Sequence, residues 1–106
     1  MKRSHTGAPP WPTMVEASLD EAKLQQLLND WQHHATLLAV RQKGAATTHA
    51  AENNPAELAA AVHALRTRSC RAIQVEYLFE GVSWTDTLFA VALGYRLIRC
   101  RHDPPR

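Results

Sequence analysis

Asp86 has the clearest capacity for chemistry in this sequence, because it falls where a core residue is expected. In the strand register described below it lies opposite Cys100, with Tyr77 and His102 on the diagonals. A carboxylate, a thiol and an imidazole in reach of one another resemble a nucleophile with its base and orienting group. The alternative is structural, since a buried carboxylate is costly unless a tyrosine, a histidine or an arginine donates hydrogen bonds to it. We favour this buried polar cluster and keep a small enzyme as the third hypothesis.

Six histidines and two cysteines raise the question of a metal site. His33 and His34 are adjacent in a predicted helix, where neighbouring side chains point about 100° apart. Cys100 and His102 share one face of a predicted strand, but Cys70 begins another strand at the opposite end of the sheet. A structural zinc site needs four converging ligands. The sequence also has no glycine-rich phosphate loop, so we expect neither a metal nor another cofactor.

Basic residues concentrate toward the end of the chain. Residues 66–106 contain seven arginines and four acidic residues, a net charge of +3, whereas residues 1–65 contain five basic and six acidic residues, a net charge of −1. Arginine binds phosphate in a bidentate manner, and sheets with aromatic and basic side chains bind single-stranded nucleic acid. Arg96, Arg99 and Arg101 are therefore candidate nucleic-acid contacts, although no nucleic-acid-binding motif is recognisable.

The cysteines and the apolar runs bear on the compartment. Cys70 and Cys100 form no CxxC pair and are too few for a disulfide scaffold, which favours a reducing cytosol. Residues 1–14 are partly basic but lack the apolar core of a secretory signal. No apolar run approaches the roughly 20 residues that cross a bilayer, so we expect a cytoplasmic protein.

The first residues, 1–15, are predicted to be a flexible tail because they are rich in proline, which joins neither helix interiors nor sheet ladders. Trp11 stands out in this tail, since an indole there folds back on its own domain or docks on a partner. A first helix is predicted over residues 19–43, with Ser18 and Glu21 as a capping box and Gly44 after the last turn. Its apolar residues recur every three or four positions and form one stripe: Leu24, Leu27, Leu28, Trp31, Ala35 and Leu38.

A second helix is predicted over residues 55–68, after a linker of small residues. Asn54 supplies the N-cap, Pro55 the first helical position and Glu57 an acid in the first turn. Leu58, Ala61, Val62 and Leu65 make its buried stripe, so the two helices are predicted to form an antiparallel hairpin.

From Cys70 onward the apolar period changes from that of a helix to two, which predicts strands over 71–80, 82–91 and 95–101. A two-residue turn at Glu80-Gly81 pairs Phe79 with Val82, Tyr77 with Trp84 and Val75 with Asp86. A three-residue loop ending in Gly94 then pairs Val91 with Tyr95 and Phe89 with Leu97. This register turns Ile98 toward the helices and turns Arg99 and Arg101 toward solvent.

The predicted fold is therefore a single α+β domain over residues 16–103. An N-terminal helical hairpin packs on one face of a three-stranded antiparallel meander, in the order α-α-β-β-β, and residues 104–106 form a loose end. The length of 106 residues, with 45% hydrophobic and 21% charged residues, is typical of one globular domain.

One corner of the predicted sheet suggests a function. Phe89, Val91, Tyr95 and Leu97 are adjacent on the face that the helices leave uncovered. A contiguous apolar patch of this kind marks an interface. The leading hypothesis is a non-catalytic protein-interaction or regulatory module that binds a protein partner or a second copy of itself as a homodimer. Nucleic-acid binding through the arginines is the second hypothesis, and no small-molecule substrate is implied.

Overall fold

The computed structural model describes residues 14–44 and 55–102 as seven elements that alternate strands and helices before a final run of strands. The elements are β1 (Met14–Leu19), α1 (Glu21–His34), β2 (Thr36–Lys43), α2 (Pro55–Arg66), β3 (Ala72–Phe79), β4 (Val82–Val91) and β5 (Gly94–His102). The predictions for residues 1–13, for the linker at 45–53, for the N-cap Asn54 and for the end at 104–106 lie outside the described residues.

The five strands form one antiparallel sheet in the order β1-β5-β4-β3-β2. Both helices pack on the same face, where their buried stripes join the inward side chains of the strands in a single core. The predicted stripe of α2 is buried as expected, with Leu58 and Leu65 fully enclosed. The predicted stripe of the first helix is confirmed only as far as Trp31, because Ala35 and Leu38 lie beyond the end of α1 and Leu38 is exposed. No helix in the described residues is long and apolar enough to cross a membrane.

The predicted helical hairpin on a three-stranded meander is wrong, because the sheet has two further strands, β1 and β2. The predicted first helix ends at His34, and Ala35 is already extended, with φ −126° and ψ 152°. A bulge between Leu37 and Ala39 interrupts the strand alternation of β2, so its apolar residues mimic a helical spacing. Pairing with β3, a contact distant in sequence, makes this segment a strand.

The start of α1 also differs from the prediction. Ser18 lies in β1, and the N-cap is Asp20, whose carboxylate accepts a hydrogen bond of 2.8 Å from the backbone N–H of Lys23. Residues 14 and 15 of the predicted tail belong to β1, which pairs with β5 at the edge of the sheet.

The first hairpin, β3–β4, has the predicted register. Phe79 pairs with Val82, Tyr77 with Trp84 and Val75 with Asp86. Glu80 and Gly81 both have positive φ, 52° and 77°, as a two-residue hairpin turn requires. The prediction of α2 is also confirmed, apart from its last two residues.

The predicted register of the second hairpin is wrong by one residue. Its turn is Ala92-Leu93, so Val91 pairs with Gly94, and Leu97 pairs with Leu88 instead of Phe89. A slip of one residue moves every side chain of a strand to the other face. The face toward the helices therefore receives Tyr95, Leu97, Arg99 and Arg101, while Ile98 and Cys100 face away. Burial explains the outcome, since Tyr95 and Leu97 join the core.

Candidate functional site

Asp86 is fully buried at the centre of the face that carries the helices, and four donors surround its carboxylate. Tyr77 Oη and Trp31 Nε1 each donate to Oδ2 at 3.0 Å. Arg99 donates from Nε to Oδ1 at 2.8 Å and from Nη2 to Oδ2 at 2.9 Å. This bidentate pairing compensates the desolvation of the carboxylate. The cluster thereby joins α1, β3, β4 and β5.

The donors around Asp86 hold their protons firmly. Burial, followed by the charge of Asp86, raises the pKa of the Tyr77 phenol above its ordinary value of 10.0. The hydrogen bond to Asp86 raises the pKa of the Arg99 guanidinium. Both groups are thus protonated at neutral pH, and the two carboxylate oxygens of Asp86 already accept four hydrogen bonds. This geometry suits positioning rather than proton transfer.

The structure brings Tyr77 to Asp86 but places Cys100 and His102 on the opposite side of the sheet. Cys100 pairs with Thr85, whose Oγ1 lies 2.5 Å from Nε2 of His102. The predicted Asp-Cys-His constellation is therefore not assembled, because the one-residue slip of β5 reversed its side chains. Within the described residues, no three His, Cys, Asp or Glu side chains are placed to hold a metal ion.

A groove of about 560 Å³ opens beside this cluster, between the last two turns of α1 and the turn end of the β3–β4 hairpin. We call it the aromatic groove, because four aromatic side chains line it: Trp31, Tyr77, Phe79 and Trp84. Three charged residues also line it: Asp30, Glu80 and Arg99. Tyr77, Phe79 and Trp84 alternate onto one face of the hairpin. Trp31 is positioned by its bond to Asp86.

The charge of the aromatic groove is acidic. Arg99 is neutralised by the fully buried Asp86. The remaining formal charge on its lining comes from the exposed carboxylates of Asp30 and Glu80. A basic group entering the groove would therefore be attracted, and the accessible rings of Phe79 and Trp84 would add a cation–π contribution.

Trp84 adds an unsatisfied donor to the groove lining. Its indole Nε1 is enclosed and has no hydrogen-bond acceptor in the part of the chain that the structure describes. Buried N–H groups are almost always paired, so an orphan calls for an explanation.

The predicted interaction patch is not contiguous in the structure. Phe89 and Val91 lie on the face away from the helices, where Phe89 is half-buried. Tyr95 and Leu97 lie in the core, and Tyr95 donates a hydrogen bond of 3.0 Å to Glu21 while Arg68 stacks over its ring. Tyr95 and Leu97 are thus unavailable to a partner.

The three candidate nucleic-acid contacts are also divided between the faces. Arg96 pairs with Glu16 on the face away from the helices. Arg99 is bound to Asp86, and Arg101 pairs with Trp84 in the strand register on the helix face. They therefore do not form one basic surface.

Sequence reasoning missed the aromatic groove, although one signal for it was present. The confirmed hairpin register already put Tyr77, Phe79 and Trp84 on one face. A helix continuing to residue 43 would have covered them, whereas α1 stops at His34 and leaves the turn end of the hairpin open.

Comparisons with known proteins add no relative. No protein-family model, no curated protein and no solved structure matches this chain.

Proposed function

We propose that this protein is a non-catalytic protein-interaction module, and that the aromatic groove binds an extended segment of a protein partner. One observation carries the proposal: the exposed ring of Phe79 and the partly exposed ring of Trp84 border a groove that the buried rings of Trp31 and Tyr77 underlie. Tryptophan in a desolvated pocket is among the side chains that contribute most to protein binding.

The rigidity of the groove supports this function. Arg99, Tyr77 and Trp31 are all fixed by hydrogen bonds to Asp86. Binding then requires little ordering of these side chains, which preserves more of the interaction energy as affinity. The volume of about 560 Å³ also lies in the usual range for a binding cleft.

The chemistry of the lining favours a peptide. Aromatic-lined grooves bind proline-rich segments in the polyproline II conformation. Asp30 and Glu80 favour a basic residue beside such a segment. The preferred ligand is thus a proline-containing segment with a lysine or an arginine.

The state of Asp86 supports a non-catalytic role, since its oxygens accept four hydrogen bonds from groups that stay protonated. A cytoplasmic location is part of the proposal, because Cys70 and Cys100 are free thiols. For nucleic-acid binding the structure offers no continuous basic surface among Arg96, Arg99 and Arg101, and that function stays a prediction from the sequence alone.

Selection from a library of random 12-residue peptides displayed on phage tests the proposal. We expect selected peptides to be rich in proline and basic residues. Asp30→Lys should weaken their binding about tenfold, the equivalent of about 1.4 kcal/mol. Glu16→Lys is the matched control, because Glu16 is an exposed carboxylate on the other face. Failure to select any peptide, or equal loss in both variants, would contradict the proposal.

A further inference from the structure

We infer that the bound partner segment continues from the aromatic groove along α1 into a second, smaller cavity, where Lys23 binds an acidic residue of that segment. This inference rests on the proposed function, and it assigns a charge pattern to the partner of the same site. Three features support it: the continuity of the two cavities, the charges along α1, and the distance between those charges.

The second cavity has a volume of about 230 Å³ and lies between α1 and the strands β1 and β5. Leu27, Asp30 and Arg99 line both this cavity and the aromatic groove, so the two are adjacent. Leu19 and Leu97 add apolar side chains to its lining, and Leu19 is partly exposed. An extended segment bound in the aromatic groove is therefore positioned to continue along α1 on an apolar surface.

The charges along this side of α1 change sign between the two cavities. Lys23 and Asp30 are both exposed, and they are seven positions, or about two helical turns, apart, so they lie on the same side of the helix. Neither side chain forms an ion pair within residues 14–44 and 55–102. Asp30 lies where the second cavity borders the acidic aromatic groove, whereas Lys23 places a positive charge farther along the second cavity. A segment with one basic and one acidic residue therefore complements both.

The distance between these charges determines the spacing of the two residues in the partner. Seven residues of an α-helix rise about 10 Å. A segment in the polyproline II conformation covers this distance in about three or four residues, at about 3.1 Å for each. The preferred ligand thus has an aspartate or a glutamate about three or four positions from the lysine or arginine that Asp30 and Glu80 attract.

Peptide selection on matched variants tests this spacing. We expect peptides selected on the wild type from the random library to have an acidic residue about three or four positions from the basic one, and peptides selected on Lys23→Glu to have a basic residue there instead. Lys43→Glu is the control, because Lys43 is an exposed lysine of β2 at the other edge of the sheet, and it should select the same peptides as the wild type. Selected peptides without this acidic residue would overturn the inference but keep the proposed function, whereas failure to select any peptide would remove both.

Exchange of the two charges tests the contact itself. Replacing the acidic residue of a selected peptide by lysine should weaken its binding to the wild type about fivefold, the size expected for an exposed ion pair. Lys23→Glu should lose about as much affinity for the original peptide and should bind the lysine-substituted peptide about as tightly as the wild type binds the original. Absence of this rescue, or an equal loss in Lys43→Glu, would overturn the inference. Binding that is still weakened by Asp30→Lys would in that case keep the proposed function.

Discussion

The two faces of the sheet differ in how their polar groups are satisfied, although both expose apolar side chains to a similar extent. Leu78 and Phe79 are neighbours in β3 that point to opposite faces, and they are 38% and 40% exposed. On the face without helices, which we call the open face, Arg41 pairs with Glu76 and Thr85 bonds to His102. On the helix face Phe79 borders a groove with an orphan indole N–H. The two faces therefore differ in unsatisfied polarity and not in the exposure of these two apolar side chains.

Removal of the Asp86 carboxylate should have the largest effect of any single change in this comparison. Asp86→Ala leaves the partly buried Arg99 and the donors of Trp31 and Tyr77 without an acceptor, which costs about 3–5 kcal/mol in the free energy of unfolding. Glu76→Ala, which removes the carboxylate of an exposed pair on the open face, should cost less than about 1 kcal/mol. Urea unfolding of both variants measures the difference. Similar losses in the two variants would remove the special role assigned to Asp86.

Alkaline pH should have the second-largest effect, because it should destabilise the buried cluster on the helix face. The pKa of Tyr77 in the folded state is raised above the value of about 10 that a tyrosine has in an unfolded chain. The unfolded chain therefore loses this proton first. Stability is unaffected below about pH 10 and falls above it, by about 1.4 kcal/mol per pH unit for each such group.

Urea unfolding between pH 8 and 11 measures this loss. Tyr95, whose pKa burial also raises, contributes to it in the same direction. Tyr77→Phe should be less stable at neutral pH by about 1 kcal/mol, and its stability should fall less steeply above pH 10. A slope identical to that of the wild type would contradict the burial of the Tyr77 phenol against Asp86.

Loss of an open-face ion pair should have the smallest effect. Arg96 and Glu16 pair between β5 and the edge strand β1, and both side chains are about half exposed. We expect Arg96→Ala to change the free energy of unfolding by less than about 1 kcal/mol, and the change to vanish in 1 M salt. A larger, salt-independent loss would indicate that this pair anchors β1.

Local signals predicted the β3–β4 hairpin and α2, because the residues that decide them are neighbours in sequence. Glu80-Gly81 supplies the turn, and α2 begins at Pro55. In contrast, Ala92-Leu93 has no residue typical of a two-residue turn, so the position of β5 depends on distant contacts. The pairing of Arg99 with Asp86 and the burial of Tyr95 under α1 decide its register.

The sequence could not identify residues 36–43 as a strand for a similar reason. Its apolar residues fit a helix as well as a bulged strand, and only the edge of β3 decides between them. The candidate site was missed because of this error. A helix that ends at His34 instead of residue 43 uncovers Phe79 and Trp84, whose shared face was already predictable.

The most direct test of the central claim is peptide binding by the matched variants Phe79→Ser and Leu78→Ser. Both remove a similarly exposed apolar side chain, one from the aromatic groove and one from the open face. Titration of a display-selected peptide, followed by fluorescence anisotropy, should show about tenfold weaker binding to Phe79→Ser and unchanged binding to Leu78→Ser. Equal affinities, or a loss only in Leu78→Ser, would place the binding surface elsewhere and contradict the proposed role of the groove.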